Sequence, residues 1–169
     1  MTVDARNVAR EPSLKNQTIS RFHMRWKLLD RGPPATYAIV LAKGDEAMHA
    51  LQQFVREQKI DAAGLTAIGA FERAVIGYFD WAKKDYKRIP VEEQVEVLSL
   101  IGDVAEADGK PALHIHAVLG KSDGSVVGGH LLEGHVRPTL EVIVTQPPAH
   151  LRKKKDPETG LALIALDRS

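Results

Sequence analysis

The chain has 169 residues, 44% hydrophobic and 27% charged, which is long enough and apolar enough for one domain with a sizeable core. It contains no cysteine, which excludes disulfides, thiolate metal sites and cysteine nucleophiles and gives no support for an oxidising compartment. Its 23 basic residues nearly balance 22 acidic ones for a net charge of +1, which argues against a wholesale phosphate-binding surface and leaves any nucleic-acid role to local asymmetry.

No apolar run approaches the ~18 residues of a membrane-spanning helix. Met1 to Asn16 is polar and lacks the apolar centre of a secretory signal. The expectation is a cytoplasmic protein with no membrane association. Residues 1–18, of mixed charge and without period, read as a mobile arm. Ile19 to Leu29 partly alternates apolar and polar residues as a half-buried strand does, and Arg31-Gly32-Pro33-Pro34 is a turn. Thr36 to Ala42 follows as a well-buried strand. At Lys43-Gly44-Asp45 the period changes: Asp45 is placed to cap a helix, and Ala47, Met48, Leu51, Phe54 and Val55 recur at helical spacing. This helix spans about residues 45–59, with His49 on its polar face.

Gly64 to Phe71 and Ala74 to Phe79 read as two strands linked by Glu72-Arg73, with Gly77 a place where a neighbouring backbone can approach. Trp81 to Asp85 is a polar turn. Tyr86 to Pro90, Val91 to Ile101 and Pro111 to Gly120 continue as strands, with Ala107-Asp108-Gly109-Lys110 a hairpin turn. His135 to Thr145 is another strand, ended by Pro147 and Pro148. Lys153-Lys154-Lys155 falls in a loop, and Leu161 to Leu166 is a short closing strand. One helix among many short strands defines an α+β (α/β) class with a mainly antiparallel sheet. The organisation is an arm (1–18), a folded domain (19–146) and a C-terminal extension (147–169).

The chemistry concentrates in Leu113-His114-Ile115-His116-Ala117-Val118 and Gly128-Gly129-His130-Leu131-Leu132-Glu133-Gly134, which hold three of the seven histidines. Residues two apart on a strand share a face, so His114 and His116 point together. Two registers are open for His130. A five-residue loop at Lys121 to Ser125 pairs Gly120 with Val126, Val118 with Gly128 and His116 with His130. A two-residue turn at Asp123-Gly124 pairs Ala117 with His130 and turns His130 to the other face. In the first register, or with a bulge at Gly128-Gly129, three imidazoles gather on one face. Such a set suits zinc or another divalent transition metal and leaves a fourth coordination position free. The alternative is three ordinary sheet histidines bonded to backbone carbonyls.

These runs, together with Gly69-Ala70-Phe71, Gly77-Tyr78-Phe79-Asp80, Leu98-Ser99-Leu100-Ile101-Gly102, Asp108-Gly109 and Glu141, resemble the PPC domain, also called the domain of unknown function 296. The resemblance covers about residues 20–146. It implies an α/β domain with a mainly antiparallel sheet, assembled as a homotrimer. It also implies a DNA-binding role, as in plant members joined to AT-hooks, and in some members zinc held by histidines matching His114, His116 and His130. An AT-hook core of Arg-Gly-Arg-Pro is missing here, since proline replaces the second arginine at Arg31-Gly32-Pro33-Pro34, so the DNA-binding implication transfers poorly.

Three functions follow. The first is a stand-alone PPC-domain DNA-binding protein with a histidine metal site. Its nucleic-acid contact candidates are Lys83, Lys84, Lys87, Arg88, Arg152, Lys153, Lys154 and Lys155, and the competing reading of these runs is solvated loops. The second is a zinc-type hydrolase acting on a small molecule, with Glu141 or Glu133 as candidate catalytic carboxylates. The third is a ligand-sensing or scaffolding trimer in which the metal is structural.

Overall fold

The structure, a computed structural model, describes residues 17–18, 24–30, 35–147 and 150–166. Residues 1–16 of the arm expected over 1–18, the Arg31–Pro34 turn and the first part of the Ile19–Leu29 strand lie outside the described residues, and Gln17–Thr18, the end of that arm, is a short strand.

The helix forms where the period predicts it. Helix α1 (Ala47–Glu57) buries Ala47, Ala50, Leu51, Phe54 and Val55 along one stripe. Its cap is Glu46 and not Asp45. The Glu46 carboxylate accepts the otherwise unpaired N–H groups of Met48 and His49, at 3.2 and 2.8 Å. It also accepts Gly134 N–H at 2.9 Å, which ties the helix start to the sheet. Asp45 is buried one residue earlier, and its Oδ2 accepts Ala42 N–H at 2.9 Å to close the strand-to-helix turn. At the far end of the stripe, Phe54 meets Trp26 and Tyr37 edge-on, with ring centroids 5.4 and 5.5 Å away.

The strands, in chain order, are β1 (Gln17–Thr18), β2 (Arg25–Asp30), β3 (Thr36–Ala42), β4 (Ala62–Asp80), β5 (Asp85–Val91), β6 (Val95–Ala107), β7 (Lys110–Gly120), β8 (Val126–Thr145), β9 (Lys153–Lys155) and β10 (Ala162–Ile164). The first eight form one sheet of order β1-β2-β3-β8-β7-β6-β4-β5, and a further β8–β4 pairing joins β4, β6, β7 and β8 into a ring. Every named ladder is antiparallel. The mainly antiparallel sheet with one helix is therefore as the patterning predicts.

Several boundaries differ from the sequence expectation. The two strands expected over 64–71 and 74–79 are one strand, β4, because register shifts around Phe71 and Arg73 absorb the Glu72-Arg73 step. Val91 ends β5, and β6 begins only at Val95. The second histidine run and the His135–Thr145 segment are also a single strand, β8. Gly134 does not break it; a Cβ there would lie 2.6 Å from Phe71 Cζ, so the missing side chain makes room for that ring. Lys153–Lys155 is a strand, not a loop, paired with Ala162–Ile164.

One face of the sheet packs on α1 through Ile39, Leu41, Leu100, Ile115, Leu119, Val142 and Val144, all buried. The alternate residues point the other way. Ile68, Leu98, Ile101, Val118 and Ile143 are large, apolar and exposed on that second face. The histidines stand among them.

Candidate metal centre

Two cross-strand rows build the site. In the first, Ile143 pairs with Thr66, Thr66 with Ile101, Ile101 with His116, and His116 with His130. In the second, Thr145 pairs with Gly64, Gly64 with Asp103, and Asp103 with His114. The β7–β8 loop is the five-residue Lys121–Ser125 segment, closed by Lys121 N–H to Ser125 O at 2.9 Å. Its Asp123 carboxylate accepts the Ser125 N–H and hydroxyl at 2.9 and 2.6 Å. This is the odd-length register, and it puts all three imidazoles on one face. Gly128 and Gly129 pair regularly with Val118 and Ala117, so no bulge is needed.

One ring nitrogen from each of His114, His116 and His130 lies within 4.8 Å of the other two. His114 Nε2 and His116 Nε2 are 3.2 Å apart. Two nitrogens bound to one tetrahedral zinc at ~2.0–2.1 Å are separated by about 3.3 Å, so this pair already stands at ligand spacing. His130 Nδ1 is buried with no hydrogen-bond partner, which is costly for a polar atom unless something else engages it. Tyr86 of β5 stacks on the His130 ring with centroids 4.6 Å apart. Gly77 makes that stacking possible, since a Cβ at that position would lie 2.8 Å from Tyr86 Cδ1. The approach that Gly77 permits is thus of a side chain, not of a backbone.

Burial, reinforced by the neighbouring His114, His116 and Lys153 charges, pushes the His130 pKa down to about 4. Burial and then His114 lower His116 as well. Both rings are thereby held neutral at physiological pH, the form that binds metals. The donor set, its spacing and the orphaned nitrogen all fit a divalent transition ion of the zinc type.

The residue that sequence reasoning missed is Asp103. Its Oδ2 faces His114 Nδ1 at 3.5 Å, on the ring edge opposite the cluster, and its Oδ1 lies 2.8 Å from Lys153 Nζ. That second contact is an ion pair at close range without the alignment of a directed hydrogen bond. The signal was present: counting back through the Ala107–Lys110 hairpin turn sets residue 103 against residue 114. Beside the histidines opens a cavity of about 620 Å³, lined by Leu65, Thr66, Ile101, Ile143, Asp103 and His116, among others.

Neither candidate catalytic carboxylate is among the clustered ligand atoms of His114, His116 and His130. Glu133 is ion-paired with Arg88. Glu141 pairs with Ile68 and Val40 and lines a smaller adjoining cavity of about 230 Å³ with Leu98 and Ser99. His135 lies in β8, and its Nδ1 is 3.3 Å from Arg73 Nη2.

The basic candidates fall into two groups. Lys83 and Lys84 sit in the β4–β5 turn with Lys83 3.7 Å from Asp80, and Lys87 and Arg88 lie on the edge strand β5. Arg152, Lys154 and Lys155 are exposed around β9. Lys153 does not join them: its side chain is only 3% exposed, folded inward onto Asp103.

With this geometry in hand, the family is clear. Residues 30–147 match the Plants and Prokaryotes Conserved (PCC) domain, and the chain belongs to that family. A metal-containing protein from Archaeoglobus fulgidus is 40% identical, with a TM-score of 0.71 over 77% of this chain and 92% of that one. A plant- and prokaryote-conserved (PPC) protein from Pyrococcus horikoshii is 34% identical, with a TM-score of 0.73 over 81% and 97%. A protein from Bacteroides thetaiotaomicron described as a candidate DNA-binding protein is 25% identical, with a TM-score of 0.78 over 85% and 99%. No curated protein matches the sequence. No helix among the described residues is long and apolar enough to cross a membrane.

Proposed function

We propose that this PCC-domain protein is a metal-bearing, ligand-binding trimer: His114, His116 and His130 hold a zinc-type divalent ion, and the adjoining cavity receives a small molecule. The observation that carries the reading is the convergence of the three ring nitrogens within 4.8 Å. A relative described as metal-containing supports it. When bound, such an ion supplies Lewis acidity and a free coordination position. The chain's own residues orient it: β7 and β8 fix the three rings, Asp103 faces His114 Nδ1, and Ile101 and Ile143 shape an apolar approach. A hydrolase would need a base near the reacting atoms, and the carboxylate that lines the cavity with the histidines, Asp103, is already engaged by His114 and Lys153. Sensing or scaffolding therefore fits better than hydrolysis. The homotrimer is supported by the exposed Ile68, Leu98, Ile101, Val118 and Ile143, a patch that water-exposed monomers rarely carry. Cytoplasmic residence completes the proposal.

Elemental analysis of the purified protein beside a His114→Ala/His116→Ala variant tests the reading. Stoichiometric zinc, or another late divalent metal, in the wild type and its loss in the variant is the expected result; equal metal content in both overturns it.

DNA binding stands as a second reading, favoured by the DNA-binding description of structural relatives. It requires affinity that falls steeply with salt and drops when Lys83, Lys84 and Lys87 are neutralised. Affinity indifferent to both removes it.

A further inference from the structure

The C-terminal hairpin of β9 and β10 lies beyond residues 30–147, the span that matches the family. It is nevertheless fastened to the site. Glu106 N–H donates to Leu151 O at 2.8 Å, residues 106 and 152 form a parallel bridge, and His150 Nδ1 lies 2.9 Å from Asp61 Oδ2. These contacts anchor the hairpin at the end of β6 and deliver Lys153 onto Asp103.

A lysine whose side chain is 3% exposed requires a counter-charge, because an unpaired buried ammonium is expensive. Asp103 supplies it. The dependence also runs the other way: Asp103 Oδ1 is itself buried, so without Lys153 the carboxylate is better solvated by rotating outward, away from His114. We propose that Lys153 is a positioning residue of the histidine site, acting through Asp103 to hold the proton on His114 Nδ1 and aim Nε2 into the cluster. Outer partners of ligating histidines fix the tautomer and ring orientation, and removing one typically weakens metal binding by about 10–100-fold. The C-terminal extension thereby becomes part of the metal centre. This rests on the metal reading above, and the test separates the two.

The whole protein, labelled with nitrogen-15 and free of metal, is studied at mildly alkaline pH by long-range proton–nitrogen correlation, which reports the His114 tautomer. Zinc affinity is then measured by competition with a chromophoric chelator. The wild type is expected to carry its proton on Nδ1. Asp103→Asn and Lys153→Met give mixed tautomers, and Lys153→Arg keeps the wild-type form. Zinc affinity falls about 10–100-fold in Asp103→Asn and about fivefold in Lys153→Met, with Lys153→Arg retained. In the Asp103→Asn background, adding Lys153→Met changes nothing further. Wild-type tautomer and affinity in Lys153→Met overturn the proposal. So does tighter zinc binding in that variant, which would make Lys153 a repelling charge rather than an anchor. If the wild type binds no metal, the metal reading fails, while the tautomer still decides whether Lys153 positions His114. Thermal unfolding checks each variant, and Lys153→Gln, which keeps most of the stem and loses the charge, replaces Lys153→Met if that variant does not fold.

Discussion

Asp103 and His114 stand opposite each other on β6 and β7, with Oδ2 and Nδ1 3.5 Å apart, while His114 Nε2 reaches within 3.2 Å of His116 Nε2. The imidazole therefore has a carboxylate on one edge and a second imidazole on the other. Ordinary sheet pairing is sufficient to produce this. Each strand alternates, Ile115 enters the core between the two histidines, and the hairpin turn at Ala107–Lys110 sets which β6 residue meets which histidine.

The low His130 pKa gives a pH dependence of stability in the metal-free protein. The ring titrates near 6.5 when unfolded and at about 4 when folded, so between those values the unfolded chain binds more protons. The stabilisation is full above about pH 6.5 and is lost as pH falls toward 4. Urea denaturation near pH 7.5 and near pH 5 is expected to give a lower midpoint in acid. The gap should narrow in His130→Gln, which has no such group. Equal gaps in the two proteins would show that His130 does not carry the effect.

Much of this was legible because local rules agreed. The helix stripe and the β3 limits follow from period alone, and loop length narrows the β7–β8 register to two, of which the structure takes the five-residue loop. What sequence could not show was anything set by distant chain crossing. Tyr86 reaches His130 only because β4 pairs with β5 on one side and β8 on the other, with Gly77 opposite His130. Lys153 reads as one of three solvated lysines until the hairpin folds it inward. Asp45 is the residue the local rules favour as a cap, but the cap is Glu46, whose carboxylate also bonds Gly134 across the fold, a contact no local rule shows.

Gly77→Ala should injure the site without touching a ligand. The added Cβ would meet Tyr86 Cδ1 at 2.8 Å and Leu132 Cδ1 at 3.3 Å, so Tyr86 must shift off His130. Overpacking of this kind typically costs about 1–3 kcal/mol, measurable as a lower denaturation midpoint. Tyr86→Leu separates the contributions: it removes the stacking, worth about 0.5–1.5 kcal/mol beyond buried area, and should relieve the clash in the double variant. A double variant as unstable as the sum of the singles would show that the two positions do not communicate.

Glu46→Ala should cost more than an ordinary exposed cap. The carboxylate satisfies Met48 and His49 N–H groups and a Gly134 N–H from β8. Loss of a helix cap costs about 0.5–2 kcal/mol, and the third bond places this residue toward the upper end. Glu46→Gln, which keeps an acceptor oxygen, should recover part of the loss. Thermal unfolding of the three proteins checks this, and a silent Glu46→Ala would mean that water replaces all three bonds.

The exposed apolar face makes assembly testable apart from metal. Ile68 is 62% exposed on β4 and lies outside the two rows that carry the histidines. In the proposed trimer a lysine there would be forced against apolar side chains of another copy, and an unpaired buried charge is strongly unfavourable. Ile68→Lys is therefore expected to sediment as a monomer and the wild type is expected to sediment as a trimer. In a protein that is monomeric anyway, an exposed substitution of this kind changes stability by less than about 0.5 kcal/mol and leaves sedimentation unaltered. Metal content measured on the same samples then shows whether the three histidines of one chain suffice to hold the ion.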